Sequence, residues 1–137
     1  MEFKFDRNIF GKKVFKKEFK NSSDINAGAC TIIKPSDEEI REYAPFNHLI
    51  IQNKNESCTI QVVLDASYDT SNNIQGGTET FFLLPSSALE IETKDNILFR
   101  WLVVKNLDST NNISANEIVC LIANHWKYED ISHNHEA

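Results

Sequence analysis

Hydrophobic positions along the chain fall in short runs of strand length, each bounded by Asn, Asp, Ser or Gly. His48–Gln52, Thr59–Leu64, Thr80–Leu84 and Ile97–Val104 alternate or run apolar, Glu117–Ala123 closes the body, and Ala29–Ile33 with Leu89–Thr93 supply two shorter candidates. Seven strands within about 95 residues, with polar turns between them, predict an antiparallel sandwich or jelly roll. Units of the βαβ type would need amphipathic helices of about 10–15 residues between strands. Only Ser36–Tyr43 predicts a helix: Ser36 or Asp37 caps it, Glu38 and Glu39 favour the positive end of its dipole, and Pro45 stops it.

The turns agree. Asn53 to Ser57 reads as a hairpin loop, Asp69 to Gly77 as a long polar loop ending in Gly-Gly, and Asp95-Asn96 as a tight link, while Pro85 stops the Phe81–Leu84 run. Leu107 to Ser114 is a polar excursion at one end of the sandwich, where binding loops usually lie. In Ile97–Val104 apolar side chains occupy both parities, so this strand is either central to the core or meets a partner with its outer face. Arg100 interrupts that face, either snorkelling to solvent or meeting a ligand. The expected fold is therefore all-β, a single antiparallel sandwich of jelly-roll type over 26–130. One short helix near 36–43, an extended N-terminal arm over 1–25 and a polar tail over 131–137 complete it.

Charge sharpens the picture. Residues 1–20 carry seven Lys/Arg against three Asp/Glu, a formal +4, whereas the other 117 carry seven against seventeen, a formal −10. A basic arm joined to an acidic body suits a protein whose arm docks elsewhere. In that arm Phe10 and Val14, then Phe15 and Phe19, are spaced i,i+4, while Phe3 and Phe5 alternate as in a strand. Three readings are open. The segment is the first strand of the sandwich with a lysine-rich outer face; or it reaches a neighbouring subunit, its rings anchoring and its cations setting register; or it meets nucleic acid or an anionic membrane, both of which the acidic body repels. On the second reading the partner-binding residues are Phe3, Phe5, Phe10, Lys12, Lys13, Phe15, Lys16, Lys17 and Phe19.

At 137 residues one core is expected, and 41% hydrophobic with 25% charged residues fits a globular domain. No apolar stretch follows the leading lysines and none approaches the roughly 20 residues of a membrane span, so the chain is expected to be made and kept inside a cell. Cys30, Cys58 and Cys120 are odd in number and sit in apolar contexts, as buried reduced thiols do. The sequon asparagines Asn21, Asn55 and Asn112 read as loop residues.

Enzyme templates fail one by one. The glycines Gly11, Gly28, Gly76 and Gly77 make no phosphate-binding loop, and there is no G-x-S-x-G elbow. A Cys58–His48 dyad lacks a third group. His125, His133 and His135, with Glu129, Asp130 and Glu136, resemble a loose chelate in a polar terminus without a second shell, so neither metal nor cofactor is expected.

The order of residues then resembles a known class. An apolar strand ending in Asn (His48 to Asn53), a next strand ending in Asp (Thr59 to Asp65), a strand closing with Pro-Ser-Ser (Phe81 to Ser87), then Leu-Val-Val-Lys-Asn106 and, after Ser-Ala-Asn116, a final Glu-Ile-Val-Cys-Leu-Ile is similar to small β-sandwich structural proteins of tailed bacteriophage virions. The resemblance covers roughly residues 45–124 and is a cadence of strands and turns. It implies a non-enzymatic virion component, made in the host cytoplasm, that decorates, cements or joins capsid and neck through contacts with other virion proteins and copies of itself. It carries over no functional residue.

Two other classes stay in view. A carbohydrate-binding sandwich would stack sugars on Trp126 and Tyr128, with Trp101 and Tyr68 as further rings and the Asn-rich loops at 71–73 and 111–112 as polar contacts. Trp101 falls mid-strand and is expected in the core. A cupin-like enzyme would need inward His and carboxylate ligands, for which the strands offer only His48 and His125.

Overall fold

The structure is a computed structural model and describes residues 14–125. Among the described residues eight strands, β1 (Phe15–Lys20), β2 (Cys30–Ile33), β3 (His48–Asn53), β4 (Ile60–Tyr68), β5 (Ile74–Leu83), β6 (Ser87–Ile91), β7 (Leu102–Asn106) and β8 (Ile118–Asn124), accompany one α-helix, α1 (Asp37–Tyr43). They form two antiparallel sheets, ordered β1-β8-β3-β6 and β2-β7-β4-β5. The pairings β1 with β8, β2 with β7, β3 with β6 and β4 with β5 are those of one long hairpin of strands bent at the β4–β5 turn. Rolling that hairpin up sends alternate pairs to opposite sheets, which is the jelly-roll winding.

Alternation along the strands explains the two layers. Leu49 and Ile51 of β3 and Ile118, Cys120 and Ile122 of β8 point inward from one sheet, and Ile60, Val62 and Leu64 of β4 with Leu102 and Val104 of β7 from the other; all are fully buried. Helix α1 starts as its sequence dictates: the Ser36 hydroxyl accepts from the Glu39 N–H at 3.1 Å while the Glu39 carboxylate accepts from the Ser36 N–H at 2.9 Å.

Three boundaries differ from expectation. β5 begins at Ile74, because Gly76 and Gly77 continue the ladder with positive φ; a Cβ on Gly77 would overlap the Val63 side chain. This glycine marks a close approach and not the end of a loop. β7 begins only at Leu102. A bulge in β4 holds Asp65 at φ 56, and its Oδ1 accepts the N–H groups of Arg100 and Trp101, while Phe99 makes an isolated bridge to Phe46. Lastly, residues 15–25 belong to the sandwich and not to an arm, with β1 paired along its length to β8 and Ile25 bridged to Ile113. Residues 1–13 and the 131–137 tail lie outside the described part.

The double-sided apolarity of the Ile97–Val104 run has a local answer. β7 is interior to its sheet, and its outward Val103 is buried against Val63 and Ala66, with Cys30, Tyr68 and Ile74 around them. The β4–β5 turn folds over this face: Asn72 accepts the Cys30 N–H on its side chain at 3.0 Å and the Lys105 ammonium on its carbonyl at 2.9 Å. The chain covers this face with its own turn.

Candidate functional site

A sandwich has edges, and an edge strand exposes unpaired N–H and C=O groups that can template a further strand. Among the described residues the edges are β1 and β6 in one sheet and β2 and β5 in the other. β2 and β6 span only four and five residues. β1 carries Lys16, Lys17, Glu18 and Lys20, all exposed. Short length and lysine both discourage strand addition. β5 has neither safeguard: it runs ten residues with Glu79 its one charge, Gln75 to Thr80 are exposed, and Phe82 and Leu84 beyond them are 63% and 68% exposed.

This alters the expected partner-binding set. Phe15 is not an anchor for another chain: it is 7% exposed, packed between Tyr43 at 4.9 Å and Phe46 at 5.2 Å between ring centres. Phe19, on the same inward side of β1, packs half-buried against the core. The i,i+4 spacing of the two rings is equally an even-numbered strand spacing, which puts both on one face. Lys17 is engaged at home, its ammonium 2.9 Å from the Glu39 carboxylate of α1, which together with the Ser36 bonds holds that carboxyl below its ordinary pKa. Lys16 remains exposed on the outward side. Phe3, Phe5, Phe10, Lys12 and Lys13 lie outside the described residues, as do Trp126 and Tyr128 of the sugar-stacking reading.

Trp101 is not core. It lies half-buried just before β7, with the Arg100 guanidinium 4.5 Å and the Lys34 ammonium 5.6 Å from its ring centre and its Nε1–H donating to the Ala66 carbonyl at 2.8 Å. Arg100 thus lies on an aromatic face instead of merely reaching solvent. Tyr68 packs on the small outer cluster.

The histidines also move. His48 alternates with the inward Leu49 and therefore stands on the outer face of β3, in the row Lys16, Ala123, His48, so a cupin-like interior site is not what this fold builds. Its ring lies 4.9 Å from that of His125 between centres, and its Nε2 lies 2.8 Å from the Glu90 carboxylate on β6. His125 is fixed by Asn47, whose side chain donates to its carbonyl at 2.9 Å and accepts its N–H at 2.7 Å. Burial, then His48 and Lys16 nearby, hold the His125 pKa below the usual imidazole value. Glu90 was invisible to sequence spacing because it reaches His48 across a strand pairing. Among the described residues no group of three or more His, Cys, Asp or Glu side chains is arranged to hold a metal ion.

Cys58 and His48 do not meet. The Cys58 carbonyl accepts from Asn53 at the far end of β3, so about five residues at about 3.3 Å each separate it from His48. The three thiols are unpaired; burial raises the pKa of each, that of Cys120 to about 12. The asparagine loops serve the fold. Asn21, Asn53, Asn55 and Asn106 are buried, and Asn111, Asn112 and Asn72 give backbone or side-chain oxygens to neighbouring segments. Two of the three sequon asparagines are therefore structural clamps.

Among the described residues no helix is long and apolar enough to cross a membrane. Comparison with protein-family models, with curated proteins and with solved structures gave no match.

Proposed function

We propose that this protein is a non-enzymatic structural component of a virion, a jelly-roll block that joins neighbouring subunits, copies of itself among them. The carrying observation is the contrast among the four sheet edges: three are short or lysine-bearing, and β5 is long, nearly uncharged and flanked by exposed Phe82 and Leu84. Strand addition at β5 gives main-chain hydrogen bonds for affinity, and the two apolar side chains supply the buried anchor. Residues 1–13, with Phe3, Phe5, Phe10, Lys12 and Lys13, provide a second, cationic contact for an acidic neighbour such as the body of another copy.

Jelly rolls also serve lectins and cupins, so the fold alone does not select this role. The sugar-binding alternative would have to rest on Trp126 and Tyr128, because Trp101 is engaged by two cations and Tyr68 by its own sheet. The test is the mass of the particle in solution, by light scattering over a concentration series, for the full chain, for Phe82→Lys with Thr80→Lys, and for the chain lacking residues 1–13. Assembly by the full chain that the β5 pair of charges reduces supports the proposal. A monomer at every concentration, with or without capsid proteins, overturns it. Deletion should stop at residue 13, since removing 15–20 would strip a strand from the sheet and expose the core beneath Phe15.

A further inference from the structure

Resting on the reading of β5 as the joining edge, we propose that its occupant is the β5 strand of a second copy, paired antiparallel about a two-fold axis at Phe82 so that two sheets become one. The direction of the main-chain groups along β5 follows from its neighbour. In β4 the Asp65 N–H donates to the Trp101 carbonyl at 3.0 Å, and the Thr59 carbonyl accepts from the Leu107 N–H at 2.9 Å. Odd-numbered residues of β4 therefore face β7. Ile60, Val62 and Leu64 face β5, where the register sets Leu83, Phe81 and Glu79 opposite them. Thr80 and Phe82 lie between those residues and turn their N–H and C=O groups to the free edge. Their side chains are exposed on the outer face of the sheet, Phe82 in one row with Gln61, Lys105 and Cys30.

The place of the axis follows from what the edge offers. Gly76 and Gly77 leave extended backbone at φ 74 and 100, so the usable edge begins at Thr78 and ends where Pro85 turns the chain. An axis at Phe82 sets that ring against the partner's Phe82 and puts Leu84 beside the partner's Thr80. Moving the axis towards Gly77 trades the ring pair for threonine contacts, and moving it towards Pro85 leaves too few extended residues to pair. Charge agrees with a second copy here. The body is acidic and repels its like, yet β5 carries Glu79 alone, and this axis puts it opposite the partner's Pro85 and not the partner's Glu79. Beside that proline the Ser86 N–H donates to the Asn55 carbonyl, and Lys54 and Glu56 flank Asn55, so the turn opposes Glu79 with no net charge. Leu107, 41% exposed in the row of Leu84, widens the apolar patch. One strand pair with these side chains belongs to the smaller class of interfaces, below about 1,200 Å² in total, so the dimer depends on concentration.

Sedimentation of the full chain over a concentration series, with cysteine cross-linking, tests the pairing. The expected result is passage from monomer to dimer. Phe82→Cys should give a disulfide dimer on mild oxidation, because hydrogen-bonded antiparallel Cα atoms are about 5.5 Å apart and a disulfide spans about 4.4–6.8 Å. The parent chain and Gln75→Cys should give none. Thr80→Pro removes an N–H that points away from β4, so the fold, checked by circular dichroism, should persist while self-association weakens about tenfold. A full chain that stays monomeric overturns the pairing, as do a dimer that Phe82→Cys fails to cross-link, equal cross-linking through Gln75→Cys, and unchanged association in Thr80→Pro. In each of those cases, binding to capsid proteins that is lost in Phe82→Lys with Thr80→Lys would leave β5 as a joining edge with a different occupant.

Discussion

At one end of the sandwich Tyr43, Phe15, Phe46 and Phe99 form a chain of rings with successive centres 4.9, 5.2 and 6.0 Å apart, roofed by α1. At the other, Asn21, Asn53, Asn55 and Asn106 are buried with their amides bonded to the loops that cross the opening. Both ends do the same work, since a rolled hairpin leaves its two openings to be closed by whatever connects the strands. The rings close theirs mainly by volume, with stabilisation spread over many weak contacts, although one fully buried amide, Asn124, accepts the Phe15 N–H at 2.7 Å and donates to the Tyr43 carbonyl at 2.9 Å. The asparagines close theirs by direction: Asn106 alone donates to the Ile25 and Asn111 carbonyls and accepts from the Asp108 N–H, tying three segments together. An apolar plug can relax around a smaller side chain, whereas a polar hub that loses its amide gives up several directed bonds at once.

The largest expected effect is at the aromatic end. Phe46 is fully buried between Phe15 and Phe99, so Phe46→Ala should cost about 3–5 kcal/mol in urea unfolding, with the cavity term included. A loss below about 1 kcal/mol would mean that the ring chain is not packed as a unit. Next comes the opposite end, where Asn106→Ala removes one donor from each of the Ile25 and Asn111 carbonyls, which keep the Ile113 N–H and the Cys58 thiol, and takes the acceptor from the Asp108 N–H, so it should cost about 1–2 kcal/mol. Asn106→Leu fills the volume without restoring the bonds, so it should recover little of that loss. Full recovery by leucine would erase the distinction between the two ends.

The contrast also explains what could be read from the chain. Seven of the strand runs were legible because alternation between a core and solvent leaves its period in the sequence, and the capping box made α1 equally plain. β1 was ambiguous. Its rings at positions 15 and 19 suit helix and strand alike, and the lysines between them say only that the element borders solvent. The asparagine clamps were hidden for a different reason: Asn favours turns on local grounds, so Asn21 and Asn55 look like surface loop residues until the roll places them against Ser114 and Glu117. Likewise β5 could not be known as an open edge, nor Glu90 as the neighbour of His48, before strand order was fixed. Local chemistry shows in the sequence; what topology brings together does not.

A smaller effect probes the roof of the aromatic end. Ser36→Ala removes the cap that holds the first turn of α1 and should cost about 1 kcal/mol. The loss should appear first as faster amide exchange in 37–43, since that helix has no fully buried residue of its own and is held by its cap, the Lys17–Glu39 pair and the packing of Ile40 and Tyr43. Exchange that quickens equally at the asparagine end would show that the two ends open together and are not separately closed.

The gentlest test uses acid, because each end has a carboxylate set below its ordinary pKa. Glu39 is lowered by the Lys17 and Ser36 hydrogen bonds, from 4.5, and Asp108 by the N–H groups of Asn111 and Thr110, from 3.8. For a group whose folded pKa is depressed, the stabilisation is complete above the unfolded value and disappears as pH falls through the folded one. Stability should therefore be flat with respect to these two groups from pH 7 to about 5, with the Ser36 and Glu39 amides and the Thr110 and Asn111 amides each shifting only as pH falls below the ordinary range of their carboxylate. Both carboxylates are only partly buried, so water still screens them and the loss is small. Asp108→Asn should remove the acid response of Thr110 and Asn111 while leaving that of Ser36 and Glu39 intact. If the loop amides still respond in the Asn variant, the loop end is governed by some group other than Asp108, and its closure is not the local hydrogen-bonded turn that the geometry describes.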